Sequence, residues 1–249
     1  MSGNGEQDFG GEMKRGRTWF IPLELLGVIV VLGGIAYWFL TGQSIDMSGT
    51  KPSPTSDTSQ VDLSIDGYTL AVPANYLPLG RNRAGGEQED IRLRALMPDM
   101  RGWSRQDANQ FASNAPDAKV VQIGVSLTKD RNTEKARFEK VLRPYTENPD
   151  GEQGPYGLTK YTFAEGQGYD GLELYTFSAG EDSLIVLQCE TAGDAAAGPS
   201  CWRTWKPDGK PTVTVTYRFK RSQLRDWPAI DQGVARLFKQ FRGEVKAPA

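Results

Sequence analysis

One long apolar stretch near the N-terminus dominates the pattern of hydrophobic and polar positions. Residues 20–40, FIPLELLGVIVVLGGIAYWFL, contain Glu24 as their only charged residue. At about 1.5 Å per residue they make a helix of roughly 31 Å, which matches the hydrocarbon thickness of a bilayer. No later stretch stays apolar for as long. The pattern therefore predicts a single transmembrane helix over residues 20–40.

Basic residues set the expected orientation of this helix. Lys14, Arg15 and Arg17 precede it, whereas Lys51 is the only base between residues 41 and 54. The positive-inside rule then predicts a cytoplasmic tail over residues 1–19 and an exported C-terminal part. A cleaved signal peptide is the alternative. The apolar run favours an uncleaved signal anchor because it is long and ends in bulky residues instead of a small-residue cleavage site.

After the apolar run the pattern changes twice. Residues 41–60 are rich in Gly, Ser, Thr and Pro, a composition that predicts a flexible linker. From residue 61 apolar residues recur at every second position, which is typical of strands. The hairpin signals Asp66-Gly67 and Asp208-Gly209 separate pairs of such runs. The predicted strands are 61–65, 68–72, 91–97, 119–128, 158–163, 172–177, 183–189, 202–205 and 212–219.

Helical signals are fewer. Ser104 and Asp107 resemble a capping box that opens a short helix to Ser113, and a second helix is expected from Thr133 to Leu142. The strongest signal covers residues 222–241, where apolar residues recur at three- and four-residue steps, with Ser222 as a plausible cap. That stripe comprises Leu224, Trp227, Ile230, Val234, Leu237, Phe238 and Phe241. Residues 61–249 are therefore predicted to form an α+β domain with a mainly antiparallel sheet and a C-terminal amphipathic helix.

The two cysteines and the absence of histidine limit the chemistry. Cys189 and Cys201 lie in the exported part, so we expect a structural disulfide that closes the loop between them. Because the chain has no histidine, it has no Ser-His-Asp triad, no His-ligated zinc and no imidazole acid–base catalysis. We predict no metal site, no cofactor and no catalytic residue.

Two motif-like segments have structural explanations. Gly166-Gln-Gly168-Tyr-Asp-Gly171 matches the dinucleotide-binding pattern, but a strand instead of a helix is expected after it, so we interpret it as a hairpin turn. Residues 130–134 resemble the start of a calcium loop, yet Lys135 stands where that loop needs glycine. This segment is interpreted as a turn into a helix capped by Thr133.

Charge is unevenly distributed along the domain. Residues 144–200 carry ten acidic residues and one lysine, whereas residues 202–249 carry eleven basic and four acidic residues. The two stretches are expected to pair within the sheet. The alternative is that Lys220, Arg221 and Arg225 form an interaction surface for a protein, anionic lipid or cell-wall polymer. Trp103, Trp202, Trp205 and Trp227 are interpreted as residues that pack in the core or against the disulfide, with sugar stacking by Trp202 and Trp205 as the alternative.

Two blocks of the domain carry a resemblance to known proteins. The first runs from Ile65-Asp-Gly-Tyr68 to Val72-Pro-Ala-Asn-Tyr-Leu77. The second comprises Cys189, Cys201, Thr216-Tyr-Arg-Phe219, Arg221 to Trp227, Ile230-Asp231 and Leu237 to Phe241. These blocks resemble a group of uncharacterised proteobacterial single-pass inner-membrane proteins. The resemblance implies an inner-membrane protein whose domain faces the periplasm. Some such anchored domains are similar to immunity proteins that block toxins delivered by secretion systems.

The sequence favours a non-enzymatic, membrane-anchored module whose periplasmic domain binds another protein in the envelope and no nucleic acid. Toxin neutralisation and an accessory role in envelope assembly both remain open. The alternative is a periplasmic hydrolase of cell-wall or lipid substrates that uses a carboxylate pair. Its candidate residues are Glu87, Glu89 and Asp90, the acidic cluster in a Gly-rich loop. A purely structural envelope protein is the third possibility.

Overall fold

The computed structural model describes residues 51–178, 180, 183–191 and 197–245. Within these residues no helix is both long enough and apolar enough to cross a bilayer. The predicted transmembrane helix over residues 20–40 lies outside the described residues, as do the tail before it and residues 41–50 of the predicted linker. The described part of that linker contacts the domain through its backbone, and its last residue, Gln60, pairs with Pro73 as the first residue of a strand. Ser53 N–H donates to Pro78 O over 2.8 Å, and Ala74 N–H donates to Ser59 O over 2.9 Å.

The described chain forms two sheets. The strands are β1 (Gln60–Ile65), β2 (Tyr68–Pro73), β3 (Gly86–Glu87), β4 (Asp90–Leu96), β5 (Val120–Leu127), β6 (Glu152–Gln153), β7 (Thr159–Thr162), β8 (Leu172–Ser178), β9 (Leu184–Glu190), β10 (Ser200–Trp205) and β11 (Val213–Lys220). The large sheet has the order β4-β5-β11-β10-β9-β8-β7-β6, and every pair in it is antiparallel. The small sheet has the order β2-β1-β3, with β1 and β3 parallel. The predicted antiparallel α+β domain is therefore confirmed.

Local turn chemistry explains the hairpins. Asp66 and Gly67 have φ of 49° and 68°, the pair of positive values that a tight type I′ turn requires. The Gly166–Gly171 segment lies between the antiparallel strands β7 and β8, so the interpretation as a hairpin turn is confirmed. Antiparallel β10 and β11 confirm the hairpin predicted around Asp208-Gly209. The sequence pattern missed the two-residue strands β3 and β6, which are too short to show a period.

The helices are α1 (Gly80–Arg83), α2 (Ala108–Ala112), α3 (Glu134–Arg137) and α4 (Trp227–Phe241), with short 3-10 segments at Ala74–Tyr76, Arg143–Tyr145, Pro155–Gly157 and Arg221–Asp226. A π-helical turn, Phe138–Leu142, continues α3. Thr133 caps α3 as predicted, since its hydroxyl accepts the Ala136 N–H over 3.2 Å. Ser104 was predicted to open α2, and its hydroxyl accepts the Asp107 N–H over 3.2 Å, but a turn follows it and the α-helix begins only at Ala108.

The start of the C-terminal helix was predicted wrongly. The α-helix begins at Trp227, and a 3-10 segment occupies Arg221–Asp226. Ser222 is not its cap, because Asp226 occupies the N-cap position, and the Ser222 hydroxyl donates to Pro116 O over 2.7 Å. Pro228 lies in the first turn of α4, where a missing N–H costs nothing.

The predicted apolar stripe forms the centre of the main core. Every residue of the stripe is buried, in one cluster with the small sheet and with one face of the large sheet. Burial of each large side chain contributes about 1.5–3 kcal/mol. A second cluster lies on the other face under the π-helical turn, where Phe138 and Leu142 pack on β7, β8 and β9. A third, smaller cluster places Phe111 of α2 against Leu96 and Val120.

Candidate functional site

The central strands of the large sheet leave one face accessible between the packed ends. In β5 the residues Val121, Ile123 and Val125 are buried, whereas Gln122 and Ser126 are exposed. The same alternation continues in β11. The register with β11 places Trp202 and Thr204 of β10 on the accessible side, although residues 202–205 of that strand are all partly exposed. One side therefore builds the core, and the other side presents polar groups to solvent.

We call this accessible surface the open face and define it by its residues. They are Arg92, Arg94, Gln122, Gly124, Ser126, Trp202, Thr204, Thr214, Thr216, Arg218 and Lys220. The strand registers arrange them in rows across the sheet. One row runs Arg94, Gln122, Arg218, Trp202, and the next runs Arg92, Gly124, Thr216, Thr204.

An aromatic–cation pair lies in the middle of the open face. The Arg218 guanidinium stacks 5.3 Å from the ring centroid of the half-buried Trp202. Arg218 also pairs with Glu190, whose other carboxylate oxygen accepts the Ser200 N–H over 2.8 Å. The Arg218 side chain remains 47% exposed, so it can change partners without unfolding.

Each end of the open face is bounded by packed chain. One end is a depression of about 580 Å³, lined by Gln122, Glu190, Arg218 and Lys220 of the sheet and by Asn114 and Asp170 on opposite flanks. The other end is a smaller depression of about 320 Å³ between Ser126 and Thr214 on the sheet and Thr133 at the start of α3. The open face therefore has a depression at each end.

Arg94 is the least satisfied cation on the open face. Its Nη2 donates to Phe111 O over 2.5 Å, and its guanidinium lies 5.8 Å from the Phe111 ring centroid. Its Nε is buried and has no hydrogen-bond partner among the described residues. Burial lowers the pKa of Arg94 from its ordinary value. A buried donor without a partner is costly, so the fold holds Arg94 less favourably than the other cations of the open face.

The three basic residues proposed from the sequence do not form one surface. Lys220 belongs to the open face, where its Nζ donates to Ala197 O over 2.6 Å and to Asn114 Oδ1 over 2.9 Å. Arg221 turns toward the core side and donates to Glu190 O over 2.5 Å, to Tyr175 and to Glu173. Arg225 is exposed in the 3-10 segment before α4.

Sequence reasoning missed the central members of the open face. Trp202 was assigned to the core, but it is half-buried on the accessible side; Trp227 is buried as expected. The sequence did contain a signal for this face. In β11 the polar residues Thr214, Thr216 and Arg218 alternate with apolar residues that are buried.

The acidic cluster proposed for hydrolysis is divided among structural contacts. Glu87 Oε1 accepts the Asp66 N–H over 2.8 Å. Asp90 pairs instead with Arg81 at 2.7 Å and with Arg92 at 2.8 Å. Each carboxylate is bound to a different partner, so the geometry does not support a catalytic pair formed by Glu87 and Asp90. Within the described part of the chain, no group of three or more Asp, Glu or Cys residues is placed to hold a metal ion.

The predicted disulfide is present. Cys189 and Cys201 occupy directly opposite positions of β9 and β10, and both are fully buried. The bridge therefore ties two strands of the large sheet next to Glu190 and Ser200, which belong to the rim of the larger depression.

Comparison with known proteins identifies the fold. No family model matches the sequence, and no curated protein matches it. The chain is similar in structure to an immunity protein of the Stenotrophomonas maltophilia type IV secretion system, with 17% identity and a TM-score of 0.54 over 77% of this chain and 98% of that one. It is also matched to the iron-regulated outer membrane lipoprotein FrpD of Neisseria meningitidis, with 13% identity and a TM-score of 0.47 over 78% and 97%. The first likeness agrees, at the level of fold, with the resemblance to immunity proteins.

Proposed function

We propose that this protein is a single-pass inner-membrane protein whose periplasmic domain binds another protein and neutralises it, as an immunity protein does. One observation carries the proposal: the large sheet keeps an open face with a half-buried tryptophan and a stacked arginine at its centre. Tryptophan and arginine are the residues most enriched at the energetic centres of protein interfaces. The fold shared with a secretion-system immunity protein supports the same function.

The proposed location rests on the sequence and agrees with the disulfide. The bases before residues 20–40 favour a cytoplasmic N-terminus and an exported domain. Disulfides persist in oxidising compartments such as the periplasm. A domain held at the outer surface of the inner membrane would meet a toxin before that toxin reaches a membrane or cell-wall target.

The alternatives receive less support from the geometry. A hydrolase would need two convergent carboxylates, but Glu87 and Asp90 are each occupied by different partners. An accessory role in envelope assembly uses the same binding chemistry as immunity. Only the identity of the partner distinguishes these two roles.

The test is capture of the partner in living cells. A photo-crosslinking amino acid replaces Gln122 on the open face of the full-length protein, and Arg236 on the solvent side of α4 serves as a second position. We expect one dominant protein to be captured, and we expect cells that lack the chain to be sensitive to that protein. A dominant partner from the cell's own envelope machinery would favour the assembly role. Capture of no protein from either position would refute the proposed function.

A further inference from the structure

We propose that the open face receives an extended, acidic segment of the partner protein, with carboxylates over Arg94 and Arg218 and backbone over Gly124. This inference rests on the proposed function, because it specifies the chemistry of the same interface. It commits to a protein segment instead of a lipid head group or a glycan. The charges of the open face, the accessible part of Arg94 and an unexplained glycine support it.

The charges of the open face favour an anion. Four cations point to this side, Arg92, Arg94, Arg218 and Lys220, and they face two carboxylates, Asp90 and Glu190. Asp170 stands at the rim with its carboxylate accepting the Gly166 N–H. At the far depression Asp130 stands beside Arg137 and Lys206, while Glu134 is paired with Arg203. The open face therefore keeps an excess of positive charge, and its arginines can bind a carboxylate through two parallel hydrogen bonds.

The geometry suits a single carboxylate-bearing chain. Gln122 lies between Arg94 and Arg218 in one row of the sheet. Since neighbouring strands are about 4.8 Å apart, the two arginines are separated by roughly 10 Å. Arg94 has a buried Nε without a partner among the described residues, and Arg218 is half-exposed and held by Glu190 alone among the described carboxylates. A partner carboxylate would pair with the accessible part of the half-buried Arg94 side chain or replace Glu190 on Arg218.

Gly124 marks the place of closest approach. A Cβ built at Gly124 would meet no atom within 4 Å, so the fold gives no steric reason for glycine here. Glycine in the middle of a strand weakens it and often marks a site where another backbone comes close. Gly124 lies one row from Arg94 and Arg218, between Arg92 and Thr216. An extended chain that lies over Gly124 can place its side chains against Arg94 and Arg218 in the neighbouring row.

The experiment uses the full-length protein with the crosslinking residue at position 122, in intact cells. Gly124→Trp fills the space above Gly124, and Gly124→Ala adds only a Cβ there. Arg92→Glu and Arg218→Glu reverse charges on the open face, whereas Arg236→Glu reverses a charge on α4 as the matched control. Mass spectrometry identifies the captured segment. Disulfide formation and protease resistance of each variant show that it is folded.

We expect Gly124→Trp and the two open-face charge reversals to reduce capture by about tenfold or more, with a smaller loss for Gly124→Ala and none for Arg236→Glu. The captured segment should contain several Asp or Glu residues. A neutral or basic segment, unchanged capture in the charge variants, or capture from position 236 alone would overturn this inference and leave the proposed function standing. Capture of only lipid or glycan, or of nothing, would overturn both.

Discussion

The carboxylate of Glu134 holds the guanidinium of Arg203, 69 positions later in the chain, through bonds of 2.9 Å to Nε and 2.7 Å to Nη2. The pair lies where β9 and β10 separate, since their pairing stops at Arg203 and Leu187. Glu134 Oε1 also accepts the Val186 N–H over 2.8 Å, a group that β10 no longer reaches. On its other side Arg203 donates to Asp231 of α4. Two side chains thus connect the helical segments on opposite faces of the sheet.

We expect Glu134→Ala to lower the free energy of unfolding by about 3 kcal/mol, the lower end of the cost of breaking a buried ion pair, because the largely buried Arg203 loses its main counter-charge and keeps only Asp231. Glu134→Gln should cost less, since an amide oxygen can still accept the Val186 N–H. Urea unfolding of the full chain in mild detergent measures both values.

Glu139→Ala is the matched control: Glu139 pairs with Arg143 at 3.0 Å, and both side chains are more than one-third exposed. That pair should contribute less than about 1 kcal/mol. Equal costs for the two alanine variants would refute the role assigned to Glu134.

The disulfide is expected to stabilise the domain by roughly 3 kcal/mol, because it closes a loop between residues 12 positions apart and so restricts the unfolded chain. Unfolding of the full chain with and without a reducing agent measures this value. The double variant Cys189→Ala/Cys201→Ala should match the reduced protein and should not respond to the reductant. A reductant effect that persists in the double variant would assign the change to something other than this bridge.

Asn82 protects the outer edge of the large sheet. Its Nδ2 donates to Asp90 O over 2.8 Å, and its Oδ1 accepts the Arg92 N–H over 3.1 Å, so a buried amide replaces a neighbouring strand. We expect Asn82→Ala to cost about 1–3 kcal/mol in unfolding free energy, because two backbone groups of β4 lose their partners. Asn109→Ala, at an exposed position of α2, is the control and should be near neutral. A near-neutral Asn82→Ala would show that water replaces the amide at this edge.

Local patterns predicted the elements because the physics that fixes them is local. An Asp-Gly pair between two alternating runs favours a tight hairpin turn by itself, as at Asp66-Gly67. Apolar residues at three- and four-residue steps, as between Leu224 and Phe241, form one apolar side on a helix. The start of α4 was misplaced because Pro228 is compatible with a first turn and Ser222 found a partner 106 positions away.

The open face could not be predicted from the same patterns. Alternation in β11 shows that Thr216 and Arg218 point away from the core, but not whether another layer covers them. That depends on where α2 and the π-helical turn pack, which contacts between distant parts of the chain decide, such as the packing of Phe138 with Val186. The Glu134–Arg203 pair was hidden for the same reason, since a charged residue at the start of a helix is ordinarily solvated.

Glu173 gives the domain a pH dependence with a predictable sign. Burial alone would raise its pKa, but hydrogen bonds from Tyr175, at 2.8 Å, and from Lys160 and Arg221 outweigh burial and leave the pKa below its ordinary value. As the pH falls, the unfolded chain therefore binds this proton first, near the usual glutamate pKa of about 4.3. The stabilisation is present above that pH and is lost as the pH falls through the lower pKa of the folded protein.

We expect Glu173→Gln to be less stable than the parent by about 1–3 kcal/mol at pH 7, because Lys160 and Arg221 lose their shared carboxylate. The difference should shrink below about pH 4, where the parent's carboxylate becomes protonated as well. Urea unfolding of both proteins from pH 7 to pH 3 measures it, and Glu165→Gln in the exposed β7–β8 turn is the control. A difference that stays constant across this range would show that Glu173 contributes through packing and neutral hydrogen bonds, and would remove the charge from the explanation.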